Sequence, residues 1–179
     1  MIIKIQKIVL FVILSFCFNA KISYAQNFAI IDTEKVIKEA KAVVYIQKII
    51  NEKQAQYQEI ITQKEEKLKK EKDSLIAKKD LLSQKAFADE EKLLQDKIDE
   101  FKQFVIEKQN VLKEALQDSM KIVQEKIEES ISEIAQEKKY TIIFPESQLV
   151  YFDENSDITN QVLESVNKKI TKVKVKFGN

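Results

Sequence analysis

The sequence predicts an α+β protein: a small strand-bearing base, a long protruding antiparallel α-helical hairpin, and a C-terminal helix. Three observations predict it. From Glu34 to Lys139 there is neither Gly nor Pro, whereas helices of globular domains average ~11–12 residues. Within that stretch apolar residues recur at helical spacing. In its second half Leu94, Ile98, Phe101, Val105, Leu112, Ala115 and Ile122 form a heptad seam, with Lys108 and Ser119 at the skipped positions. After Lys139 the period turns strand-like, in Tyr140–Phe144 and again in Leu149–Phe152.

Composition narrows the function classes. The chain has 179 residues and no His, one Gly (Gly178), one Pro (Pro145) and one Cys (Cys17). Without His there is no Ser-His-Asp triad, no Cys-His dyad and no imidazole metal ligand. With Gly only near the end there is no Gly-rich phosphate loop. Neither a metal nor a cofactor is expected. Asp153, Glu154 and Asp157 cluster in one loop, but without a partner base or nucleophile they read as solvated charges, and no enzymatic activity is expected.

The first segment is an export signal. Lys4 and Lys7 precede the apolar run Ile8–Phe18, and Ser23-Tyr24-Ala25 offers small residues where a signal peptidase reads. The run is short against the ~20 residues of a bilayer span. Cleavage after Ala25 is expected, a retained anchor being the alternative. It removes three Lys (Lys4, Lys7, Lys21) and no acid, so the net charge passes from +1 to −2. It also removes the only Cys, which suits an oxidising compartment. A near-neutral chain gives no electrostatic case for nucleic acid.

The elements then follow in order. Asn27–Ile31 reads as a strand, and Asp32 or Thr33 as the N-cap of a helix. Ile46, Ile49, Ile50, Tyr57, Ile60, Ile61, Leu68, Leu75, Ile76 and Leu82 mark the first arm helix. The stripe thins between Gln63 and Ser74, so this helix is expected to stand out from the body. Ser83–Asp89 reads as the turn. Each half would then hold ~40–50 residues and reach on the order of 60–70 Å at 1.5 Å per residue. Pro145 stops the strand that begins at Tyr140, and Leu149–Phe152 reads as a third strand. Ser156 or Asp157 caps a helix from Ile158 to about Ile170. The tail alternates Lys with Val over Lys172–Lys176 and reads as a solvated, frayed end, or as a weak contact for an anionic membrane surface. The body is thus placed at 26–40 and 138–170, the arm at 41–137 with its tip near 83–89, and the basic tail at 171–179.

A base of this size, with no disulfide, buries too little to be firmly stable alone, and a three-stranded sheet leaves open edges. Oligomerisation through the strands answers both problems.

The order signal peptide, Phe28-Ala-Ile-Ile-Asp32, breaker-free hairpin, Lys138-Lys-Tyr-Thr-Ile-Ile-Phe144, Val150-Tyr151, Asp157-Ile-Thr159 and final helix resembles the Skp/OmpH family of periplasmic chaperones. The resemblance implies a periplasmic homotrimer with a barrel-like strand body and three helical arms around a cavity. It implies ATP-independent holding of unfolded outer-membrane proteins, which prevents their aggregation in transit to the outer-membrane assembly machinery. Candidate client contacts on the arms are Tyr57, Ile61, Leu68, Leu75, Phe87, Leu94, Phe101 and Phe104. Most of them also fit the hairpin seam, while Phe87 falls in the expected tip. Candidates for the trimer body are Phe28, Ile30, Ile142, Phe144, Val150 and Phe152. Well-known members are strongly basic; a mature charge of −2 departs from that and puts electrostatic capture of anionic partners in doubt. The rival function is an exported coiled-coil structural or adaptor protein that binds a folded envelope partner.

Overall fold

A computed structural model describes residues 27–178. The segment expected to be an export signal, its expected cleavage point and Cys17 lie outside the described residues. The chain runs β1 (Phe28–Ile31), α1 (Thr33–Glu39), α2 (Lys41–Ala77), α3 (Gln84–Lys138), β2 (Ile142–Pro145) and α4 (Thr159–Lys169). Two short 3-10 turns, Glu146–Gln148 and Glu154–Ser156, lie between β2 and α4.

The base is knotted by contacts between residues far apart in sequence. β1 and β2 pair in parallel, with Phe28 opposite Ile142 and Ile30 opposite Phe144. On the other side of β1, Ile30 bridges Asp157, and the Ile158 amide donates to the Ile30 carbonyl at 2.9 Å. The Asp32 carboxylate accepts from the Lys35 amide at 2.8 Å and caps α1, as its residue type requires. The Asp32 amide donates to Thr159 Oγ1, and the Thr159 amide donates to the Asp157 carboxylate. Those bonds join the Ile31-Asp32 and Asp157-Ile158-Thr159 segments into one unit.

The helix that begins after Asp32 is broken at Ala40, whose backbone is extended (ψ 125°). Nothing local signals the break. Asn167 of α4 supplies the cap instead: its side-chain oxygen accepts from the Lys41 amide at 2.8 Å. The break lets α1 lie across α4 while α2 leaves as the arm.

The turn between the arm helices occupies residues 78–83, earlier than Ser83–Asp89. Ser83 is the N-cap of α3, its Oγ accepting from the Ala86 amide at 3.2 Å, so the residues after it already belong to α3. The arm helices are unequal, 37 and 55 residues, because α3 continues down through the base. At 1.5 Å per residue they are ~55 and ~80 Å long.

The heptad seam also shifts in the base. Ala115, Ser119, Val123, Ile127, Ser130 and Ile134 are the buried residues of α3, while Ile122 is 40% exposed. Three successive steps of four carry the buried face away from a strict heptad. A straight helix of 3.6 residues per turn drifts in that way, and α3 packs on α4 here as well as on α2.

Leu149–Phe152 is not a strand. A 3-10 turn follows Pro145 at once, and Val150 and Tyr151 are exposed. Within the chain β1 has β2 on one side and Asp157 on the other, and this segment pairs with neither strand. The tail, expected to fray, instead packs: Val173 is 5% exposed and belongs to the core, with Val175 and Phe177 against it.

The core sits at the root. It gathers Ala29 and Ile31, Val36, Ala42 to Ile50, Ala115 to Ile134, Ile158, Val162, Val166 and Val173. Beyond Ile50 the only buried apolar residue of α2 is Leu75. The thin stripe seen in the sequence therefore corresponds to an arm with little interior.

Candidate binding surfaces

The arm is built from half-buried apolar residues roofed by Lys. Tyr57 and Ile61 are half-buried on α2. Lys53 Nζ lies 4.9 Å and Lys108 Nζ 5.7 Å from the Tyr57 ring centre. Phe104 carries Lys64 at 4.8 Å and Lys108 at 5.1 Å. Such contacts are worth ~0.5–1 kcal/mol each at exposed sites. Lys108 thus occupies a seam position without entering a dry core: its stem spans two rings, and its head is hydrogen-bonded to Glu107 at 2.7 Å, which raises its pKa. Farther out, Leu68, Phe101 and Phe104 line an open groove with Lys64, Lys67 and Glu71. Lys97 donates to Glu71 across the hairpin at 2.7 Å and lowers the carboxyl's pKa. Leu75 is buried, and with half-buried Leu94 it lines a shallow groove between the helices nearer the tip.

The tip differs from the sequence expectation. Phe87 lies in the first turn of α3, half-buried, not in the connection. The exposed apolar residue of the connection is Leu81, 82% exposed, with Ile76 and Leu93 exposed below it. Reading Ser83 as the N-cap of α3 brings Leu81 into the turn; an apolar residue beside a cap carries no other sequence signal.

The base presents a second surface. Phe28 and Phe144 meet edge to face with ring centres 6.5 Å apart, and both rings are partly exposed. Ile142, Val150 and Tyr151 are exposed too, and Phe152 is half-buried. Ile30 differs from the other body candidates, being almost fully buried within the chain itself. An open cleft of about 520 Å³ lies between Ile31–Glu34 and the 146–154 segment. A two-stranded sheet with large apolar side chains in water is a surface that calls for a partner.

The acidic loop serves as turn structure. Asp153 accepts from the amide and the side chain of Asn155, at 2.9 and 2.8 Å, and Asp157 accepts from the Thr159 amide at 2.7 Å just ahead of α4. Among the described residues no group of three or more Cys, Asp or Glu is placed to hold a metal ion. No described helix is long and apolar enough to cross a membrane.

Comparison with known proteins agrees with this arrangement. The family model described as outer membrane protein (OmpH-like) matches residues 27–166. An uncharacterized protein of Aquifex aeolicus (strain VF5) is 33% identical over 149 residues, which span 83% of this chain and 91% of that one. A crystal structure from Caulobacter crescentus CB15, described as a candidate OmpH-like outer membrane chaperone, superposes with a TM-score of 0.78 at 16% identity. It covers 86% of this chain and 90% of its own. A small strand pair under a long helical hairpin is therefore the shared fold, and the chain belongs to the Skp/OmpH family.

Proposed function

We propose that the protein is an ATP-independent holdase chaperone of the periplasm. It binds unfolded outer-membrane proteins and keeps them from aggregating in transit to the outer-membrane assembly machinery. It acts as a homotrimer, joined through the exposed strand residues of the base, with the arms enclosing the client. The observation that carries this reading is where the core ends. Burial is concentrated at the root, so the arm apolar residues stay half-exposed among Lys and Glu. Such a surface suits many weak, reversible contacts with a chain of no fixed structure, and three arms supply avidity. The Caulobacter protein's description as a chaperone and the family match agree with it.

The arm residues Tyr57, Ile61, Leu68, Phe101 and Phe104, with Leu81 at the tip, are the client contacts in this reading. Leu75 and Leu94 hold the hairpin together. Holding proceeds by equilibrium binding and consumes nothing. The test is dilution of a urea-unfolded outer-membrane barrel protein into the chain from Gln26 onward, without nucleotide, followed by light scattering. Aggregation should fall steeply at a few-fold excess of chains. Undiminished scattering would contradict the holding activity and favour the adaptor role.

A further inference from the structure

We propose that the groove between α2 and α3 just above the root is a binding site for extended segments with alternating apolar residues, and that residues 171–178 are its resident occupant. The chain leaves α4 at Ile170 with extended backbone (φ −147°, ψ 128°) and forms neither helix nor strand afterwards. Val173, Val175 and Phe177 face the protein, whereas Lys172, Lys174 and Lys176 are exposed.

The segment climbs along the arm. Lys172 Nζ lies 5.7 Å from the Tyr45 ring, and Lys53 Nζ lies 5.7 Å from the Phe177 ring. A Cβ on Gly178 would sit 3.8 Å from Val111 Cγ2, so the tail touches both arm helices. Tyr45 to Lys53 is ~12 Å of helix, and Lys172 to Phe177 spans ~16 Å when extended. A nearly straight strand laid along α2 fits both lengths. Among the described residues no hydrogen bond of the tail backbone ties it to α2 or α3. Side-chain packing and Lys–aromatic contacts hold it, and these make few demands on sequence.

The groove therefore accepts a period-two apolar strand, the pattern that membrane barrel strands carry on their lipid face. That last step rests on the holding function proposed above; the groove and its occupant do not. A tethered tail acts at an effective concentration on the order of millimolar. It weakens an outside ligand by the fraction of time the groove is filled.

The experiment uses a fluorescein-labelled peptide of residues 171–178 and the mature chain, native and with Val175→Ser and Phe177→Ser combined. Val173 is left intact because it belongs to the core. Fluorescence anisotropy should show the variant, its helicity and oligomeric mass unchanged, binding the peptide at least tenfold more tightly than the native chain. A peptide with Ser at the three apolar positions should bind neither. Equal affinity of the two chains for the native peptide would overturn the proposal. Should the variant not fold, a nitroxide label at Lys176 of the native chain decides: excess unlabelled 171–178 peptide should narrow its spectrum as the tail is displaced, and an unchanged spectrum would overturn the proposal. Aggregation suppression by the native chain is scored separately. Peptide binding without suppression would leave the groove standing and remove the holding function; suppression without peptide discrimination would do the reverse.

Discussion

Lys139 holds the left-handed conformation (φ 58°, ψ 36°) at the C-cap of α3, where the Tyr140 amide donates to the Ala135 carbonyl at 2.9 Å. A residue with a Cβ is strained there, and Gly is the residue this cap favours. Lys139→Gly should raise stability by about 0.5–1 kcal/mol in urea titration. Ser130 is fully buried in α3, and its hydroxyl has no hydrogen-bond partner among the described residues. Removing an unsatisfied polar group of similar size costs little, so Ser130→Ala should be neutral or stabilising by up to about 1 kcal/mol. Ile46 lies in the opposite situation, fully buried at the root. Ile46→Ala should destabilise by about 2–5 kcal/mol.

At the scale of elements, α4 is docked on α3 by apolar packing and by a cluster of charges. Lys169 bonds Glu129 and Glu133 at 2.7 and 2.6 Å, and Lys126 bonds Glu129 at 2.6 Å. These cations hold the Glu129 carboxyl down at about 2, from an ordinary 4.5. A lowered carboxyl pKa contributes stability in full above the unfolded value and loses it as pH falls through the folded one. The α4 amides should therefore exchange faster as pH drops from about 4.5 toward 2, once the intrinsic pH dependence of exchange is removed. Lys169→Met should flatten that dependence. The long breaker-free stretch, the final helix and the two real strands were legible in the sequence because local pattern determines them. What was not legible depended on distant partners. The break at Ala40 is capped by Asn167, the seam leaves Ile122 where α3 meets α4, and the tail is ordered by a groove it cannot announce. Leu149–Phe152 has strand composition but follows a 3-10 turn and pairs with neither strand of the chain. Of the candidate site, the arm positions were readable from spacing, whereas the division between hairpin interior (Leu75) and open groove (Leu68, Phe101) needed the actual pairing of α2 with α3.

At the scale of the molecule, the proposed holding function divides the work between base and arms. Phe28, Ile142, Phe144, Val150 and Tyr151 leave the base apolar and uncovered, while the arm reaches away from the core of the described residues. Phe144→Asp with Tyr151→Asp should reduce the proposed trimer to monomers with helicity retained, read by sedimentation. Leu81→Ser should leave melting unchanged yet weaken client holding a few-fold, because the side chain supports nothing in the protomer. The Leu81 outcome depends on one claim, that several chains enclose one unfolded client. The most direct test is the mass of the soluble complex formed when an unfolded outer-membrane barrel protein is diluted into the chain from Gln26 onward without nucleotide. Three chains with one client is the predicted result. A monomeric chain, or a trimer that emerges with no client bound, would contradict the account.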